Sequence, residues 1–431
     1  MKMTKLRTLL LFGAGAAIEW GGPSTKDLTI LIRKIGFSTR SNIKITEYIY
    51  QTLIKAGFHE KDINFETIIN VVEELIIHYS LSDKENKTPS LSSILFSNIH
   101  EDELLNFERP TGQLNDGGNI KIPGEDPVYI RYSFNDETSI QFFFQLLFER
   151  IMLRVKNEII TYCYHTSGHS KLFTPEKEEI NNLFTHWIFN CSMDSIMRMY
   201  SLNYEKGFKF LLDKTGMDIF EGFENFEIQQ KDRIQPNLKR ILNDLNSHIF
   251  YNLHGSVYWH VDYYKPGSLA PPEIRLMPYP VLAESIPEPP ELQINKGEEL
   301  QIMSIITGYQ KAVRTFVPPF RQMHAAFDQD CLTADKIFII GYSFGDENIN
   351  QSIKSALKYN PSVKFIIVDP GFQEHKLEYF IGLYFSPLIE FNEFVINIPG
   401  KIRRFSFFDD KINVFMCGFK EYLQFVDNEM N

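Results

Sequence analysis

The sequence predicts an α/β chain in which a parallel sheet, covered by helices, is interrupted by a large and mostly helical insertion. Three observations lead there. Short apolar runs with strand character stand at LRTLLLF, RMYSLN, HIFYNL, KIFIIG and VKFIIVD. Helical sequence separates them, and that alternation is the mark of strands joined by crossover helices. Each run also ends in a glycine or polar turn, and ligands of open parallel sheets bind beyond the carboxyl ends of the strands.

The first run breaks at Gly13-Ala14-Gly15, passes Gly21 and Gly22, and enters an expected helix after Pro23. A strand, a glycine turn and a helix start in that order suit a phosphate, because backbone N–H groups and the helix dipole both face it. The loop departs from the dinucleotide fingerprint: Ile18 stands where a third glycine is wanted, and no acidic residue follows at the usual distance. No Gly-Lys-Ser/Thr is present, which argues against a Walker-type loop. Two other readings compete, a packing turn and a secretory signal in which Lys2, Lys5 and Arg7 precede the apolar segment.

Composition narrows the function classes. The chain has 431 residues, 43% of them hydrophobic, and 37 are Phe, enough for a sizeable core. A net charge of −11 argues against broad nucleic-acid binding. No apolar run reaches the roughly 18 residues of a membrane span. Cys163, Cys191, Cys331 and Cys417 are scattered, which excludes a four-cysteine zinc and fits a reducing cytoplasm.

Along the chain, LTILIRKI, ITEYIYQTLIKAG and FETIINVVEELIIHY carry apolar residues at helical spacing. Residues 81–135 read as a long polar loop or small irregular sheet. A strong helix returns over 138–164, followed by a loop at Ser167-Gly168 and more helix to about Met197. Residues 37–197 are therefore expected to form the insertion. The sheet domain is expected to be discontinuous, from 1–36 and 198–372, with a C-terminal extension over 373–431.

The first residues past the strand ends are Gly13-Ala14-Gly15, Asn203-Tyr204-Glu205, His254-Gly255-Ser256, Gly341-Tyr342-Ser343 and Asp369-Pro370. All would meet at one sheet edge. Core packing alone does not call for polar residues at every such end. Single residues keep bland alternatives: a backbone-bonded His254, a helix-capping Asn203 or Ser343, and a turn-forming Asp369. His165, His169, His186 and His260 lack ligand spacing and are expected at the surface or in packing.

With these residues in place, the chain resembles the SIR2-like family. GAG followed by GGP is similar to the sirtuin GAG-x-S…GIP loop, LHGS at 253–256 to the catalytic histidine motif, and GYSFGDENIN at 341–350 to the GxS segment. SLNYE at 201–205, FEGF at 220–223 and VDP at 368–370 are similar to the bacterial branch of anti-phage defence. The chain departs from the pattern at Ala17, at Ser24-Thr25-Lys26, at Glu205 and in lacking the zinc cysteines.

The resemblance implies a Rossmann-like sheet that binds NAD+ as a substrate, with no metal. It implies hydrolysis to nicotinamide and ADP-ribose, with Asn203 and His254 catalytic. Gly13, Ala14, Gly15, Pro23, Tyr204, Gly341, Ser343 and Asp369 would hold the dinucleotide. It also implies NAD depletion as the biological role, in an oligomer gated by a partner such as a HerA-like ATPase, a short Argonaute or another phage sensor. The alternatives are a NAD-dependent deacylase or ADP-ribosyltransferase, and a sensor of NAD or ADP-ribose without turnover.

Overall fold

In the computed structural model, the residues described are 5–79, 97–104, 118–120, 128–130, 139–163, 171–225, 234–262, 273–281, 304–307, 315–371, 394–397, 402–407 and 410–430. The first apolar run forms β1 (Leu6–Phe12), whose Leu9, Leu10, Leu11 and Phe12 are fully buried. An uninterrupted apolar strand of this kind is what a sheet covered on both faces requires. A 3-10 turn (Ala14–Trp20) follows, and then the first helices, α1 (Thr25–Ile32), α2 (Ile45–Lys55) and α3 (Phe65–His78).

Next come α4 (Glu101–Leu104), a hairpin of β2 (Gly118–Ile120) and β3 (Val128–Ile130), and α5 (Ser139–Cys163). After α6 (Glu178–Asp194), β4 (Ser195–Ser201) returns the chain to the sheet. Then follow α7 (Gly207–Asp213), β5 (Ile219–Phe220), β6 (Phe223–Asn225), β7 (Ile234–Pro236), α8 (Leu238–Asn243) and β8 (His248–Asn252). The last part holds β9 (Trp259–Asp262), β10 (Glu273–Leu276), α9 (Phe320–Thr333), β11 (Lys336–Ile340), α10 (Glu347–Tyr359) and β12 (Lys364–Val368). It closes with β13 (Phe394–Asn397), β14 (Arg403–Phe407), β15 (Ile412–Met416) and α11 (Phe419–Met430).

Nine strands share the main sheet in the order β13-β14-β15-β12-β11-β1-β4-β8-β5. Every pairing from β15 across to β5 is parallel, and only β14 runs against its neighbours. The expected α/β class is therefore met, with a mixed, mostly parallel sheet consistent with a Rossmann-like arrangement. A second, antiparallel sheet has the order β6-β7-β10-β9.

Register assigns the two faces. Phe12 and, on β11, Phe338 point to the face carrying α6 and α11, where Phe12, Trp20, Phe184, Trp187, Phe208 and Phe419 pack as one aromatic cluster. Much of the Phe excess thus has a packing role. Arg198 and Tyr200 point to the opposite face, where both bind Asp330 of α9.

Two boundaries differ from the expectation. Helix was expected to continue to about Met197, but it stops at Asp194, because Ile196 and Met197 register against Arg7 and Thr8 in the parallel ladder. The sheet was ended at 372, yet β15 pairs with β12 and β14 with β15, so the C-terminal segment builds sheet as well. Its α11 also packs on α6 and reaches the glycine turn, where Phe419 meets Trp20 and the Lys420 N–H donates to Glu19 at 2.7 Å. The loop at Ser167-Gly168, and most of 81–135, lie outside the described residues.

Candidate active site

The chain steps from β1 to β4, β8 and β5 on one side and returns through β11 and β12 on the other, which makes the β1–β11 boundary a topological switch point. The ladders end level there. Gly13 N–H donates to Ile340 C=O, Leu202 N–H to Phe12 C=O, and Leu253 N–H to Ser201 C=O, each at 2.9 Å. The loops that follow therefore leave the sheet at one height.

They surround a cavity of about 410 Å³, within the usual range of small-molecule sites. Ala14, Gly15, Pro23, Asn203, Tyr204, His254, Gly341, Ser343 and Asp369 all line it. Gly13 stays behind the lining, where its carbonyl accepts a 3.0 Å hydrogen bond from Asn203 Nδ2. All ten residues singled out in the sequence thus gather at one place.

The glycines act differently from the expectation. Gly15 N–H donates to Gly341 C=O at 2.8 Å, and the N–H groups of Gly21 and Gly22 turn back to Ile18 and Ala17. They are therefore spent within the protein. Gly341 has φ +59°, and a Cβ on it would lie 2.1 Å from the Ala16 nitrogen. Close backbone approach between two strand ends demands glycine here. The first-turn N–H groups of α1 have no intrahelical acceptor, and Thr25 and Lys26 of that turn line the cavity. Ser24, with Asp27, forms a capping box that fixes the turn. The donors left at the cavity therefore belong to the start of α1 and to Lys26 rather than to the glycine loop.

His254 follows β8 at a turn that needs Gly255, whose φ is +82° and whose Cβ would meet Ser304 O at 2.1 Å. Its Nε2 lies 2.9 Å from Asp346 Oδ2, with the two side chains 6% and 9% exposed. Asp346 also caps α10, its other oxygen accepting the Asn348 N–H at 3.0 Å. The cap that was the alternative role for Ser343 belongs to Asp346, and Ser343 lines the cavity. Sequence reading passed over Asp346, although an acidic residue just before a helical run is a capping signal. His254 is oriented by this carboxylate, which is the arrangement of a histidine placed for proton transfer.

Asn203 does not cap a helix. Besides bonding Gly13, it is held by Asn252, whose Nδ2 donates to the carbonyls of Asn203 at 3.0 Å and Glu205 at 3.1 Å. One Nδ2 hydrogen is committed to Gly13, so the amide oxygen and the second Nδ2 hydrogen are what Asn203 has left to offer. The Tyr204 hydroxyl donates to Ile306 C=O at 3.1 Å, fastening the 304–307 segment. At β12, Asp369 Oδ1 accepts the Gly371 N–H at 2.6 Å, so the turn role is real, and burial raises its carboxyl above the usual range. Away from the site, His186 bonds Asp427 and His260 lies 3.3 Å from Asp262, while His165 and His169 fall outside the described residues.

Glu205 stands in the sequence among the strand-end residues and as a departure from the motif, with no role expected of it. In the fold it is a buried carboxyl on the cavity wall, 3% exposed, with its pKa raised to about 7 by burial and held back by the hydrogen bond from Gly207 N–H. The helical insertion supplies a further wall through Asn64, Phe65 and Glu66 at the start of α3 and Ile159 and Tyr162 near the end of α5. No sequence motif marks these residues. Among the described lining residues Lys26 is the one lysine or arginine, against Glu66, Glu205, Asp346 and Asp369.

No protein-family model matches the chain, and no curated protein matches it significantly. Among the described residues, no helix is long and apolar enough to cross a membrane, and no group of three or more His, Cys, Asp or Glu could hold a metal ion.

Proposed function

We propose that this chain is a SIR2-like NAD+ hydrolase that releases nicotinamide and ADP-ribose. The observation that carries the reading is the buried His254–Asp346 pair, set beside Asn203 in one cavity at the switch point of a mostly parallel sheet. Cleavage of the nicotinamide–ribose bond leaves positive charge on the ribose, as in other glycosidic cleavages. A mainly acidic wall favours that charge electrostatically. The pyrophosphate suits Lys26 and the first turn of α1. Asn203 offers its amide oxygen to the attacking water or a ribose hydroxyl, and His254, oriented by Asp346, takes a proton from one of them. Asp369 accepts a hydrogen bond from the adenosine ribose.

The setting we propose is NAD depletion in anti-phage defence, in the cytoplasm, by an oligomer that a sensor partner activates. The C-terminal segment and the helical insertion both touch the site's surroundings and are the parts through which a partner would act.

The test is nicotinamide release from NAD+ by the purified protein, with Asn203→Ala and His254→Ala alongside. Removing a general base costs about 10²–10⁴-fold in rate, so His254→Ala should fall by that factor. Release that persists in both variants would overturn the site assignment. Release only with an acylated peptide would mark a deacylase, and binding of NAD+ without release under any activating condition would mark a sensor.

A further inference from the structure

The insertion and the β4 loop meet at a buried carboxyl that takes no part in the chemistry of Asn203 and His254. Glu205 lies at the end of β4, on the cavity wall, and its two carboxyl oxygens differ. Oε2 accepts the Gly207 N–H at the start of α7, whereas Oε1 has no hydrogen-bond partner in the chain. A buried acceptor left unmade costs about 1–3 kcal/mol, so a site that keeps one has a use for it or a bound molecule that satisfies it. The Tyr162 hydroxyl comes from α5 and flanks the same glycine, since a Cβ on Gly207 would lie 2.9 Å from Glu205 Oε2 and 3.3 Å from Tyr162 Oη.

We propose that Glu205 is a second acid–base residue of this site, its carboxylate, held by the Gly207 N–H, taking the proton from the water that attacks the ribose, with the neutral Tyr162 hydroxyl as its near neighbour. The inference rests on the NAD+ hydrolase reading. In the step, a water O–H bond breaks as the water oxygen bonds to ribose C1′. The C1′–N bond breaks, and its electron pair passes to the nicotinamide ring nitrogen, which loses its positive charge. The proton goes to Glu205 Oε1 and later to solvent. His254, held by Asp346, is then left to act on a ribose hydroxyl.

The surroundings suit such a base. Tyr162 and Cys163 face Glu205 from α5, and burial together with the Glu205 charge pushes both well above their ordinary values, so both stay neutral. The neighbouring Lys206 ammonium is spent on Glu221 at 2.6 Å and does not pin the carboxylate in its charged form. With desolvation raising its pKa to about 7, the carboxyl holds and releases a proton in the neutral range, where a general base works best.

The experiment is the pH profile of nicotinamide release from NAD+ by the full-length wild type, Glu205→Gln, Glu205→Asp and Tyr162→Phe, with ADP-ribose binding measured on each. The wild-type kcat should rise with pH through about 7. Glu205→Gln should lose about 10²-fold or more in kcat, lose the rising limb, and still bind ADP-ribose. Glu205→Asp should keep a rising limb at reduced rate, and Tyr162→Phe should move the limb with little change in KM. Glu205→Gln within threefold of wild type, or a wild-type rate that falls above pH 7 and survives in Glu205→Gln, would overturn the inference while leaving the hydrolase reading intact. No nicotinamide release from the wild type would overturn both.

Discussion

The two sides of the cavity are built on different principles. The β1–β11 side is made of backbone: Gly13, Gly15 and Gly341 bring two strand ends into contact, and their N–H groups are consumed there. The β4–β8 side is made of buried polar side chains, with Asn203, Glu205, Asn252 and His254 all below one-tenth exposed. Close backbone contact sets the first side, and buried titratable side chains set the second. Buried polar groups need partners behind them: Asn252 holds the main-chain carbonyls of Asn203 and Glu205, Asp346 stands behind His254, and Glu205 Oε1 alone of the Glu205 oxygens is left without one. Glycines need only room.

Substitutions should separate the two principles. The largest effect is expected below the polar side, where Arg198 of β4 meets Asp330 at 2.6 Å with both side chains almost fully buried. Asp330→Ala leaves a buried guanidinium unpaired and removes the acceptor of the Tyr200 hydroxyl. It should cost about 3–5 kcal/mol in chemical denaturation, whereas a loss under about 1 kcal/mol would mean the polar side does not depend on this pair.

On the glycine side, Gly341→Ala should cost roughly 2–4 kcal/mol, because the φ is positive and the new Cβ collides with backbone. Gly21→Ala, at φ +93° but with its nearest atom 3.9 Å away, should cost only the left-handed strain of about 1 kcal/mol. Equal losses at the two positions would show that conformation, rather than close approach, governs that side.

The smallest effect concerns pH. His324 of α9 bonds Leu253 C=O at 3.1 Å, beneath the His254 turn, and burial lowers its pKa to about 4. Its folded pKa is depressed, so the unfolded chain takes up a proton first as pH falls. The stability this histidine contributes is whole above about 6.5 and drains away towards 4. Between pH 7 and 5.5 the loss is about 1 kcal/mol, and His324→Gln should remove that slope. Glu205 acts in the opposite direction: its raised pKa makes the contribution whole below about 4.5 and lost as pH rises through about 7. An unchanged slope in His324→Gln would place the acid sensitivity elsewhere.

By itself the sequence determined the strands and the level at which they stop. Apolar runs that end in glycine or polar residues are local patterns, and strand period and turn chemistry read them without knowledge of neighbours. β1, β4, β8, β11 and β12 were legible in this way, as were nine residues at their carboxyl ends and Pro23 before the first helix. Partnership was not legible. Asp346 is 92 positions from His254 and Tyr162 is 43 before Glu205, and no periodicity relates them. The C-terminal strands hid for a similar reason, since β15 finds its place only by pairing with β12. Glu205 shows the limit most plainly: as a letter it is an ordinary acid, and only burial between β4, α7 and α5 turns it into a carboxyl that titrates near neutrality. Local sequence sets backbone preference, whereas desolvation and hydrogen-bond partners belong to the packed chain, so the tertiary structure decided which of these residues can carry a proton.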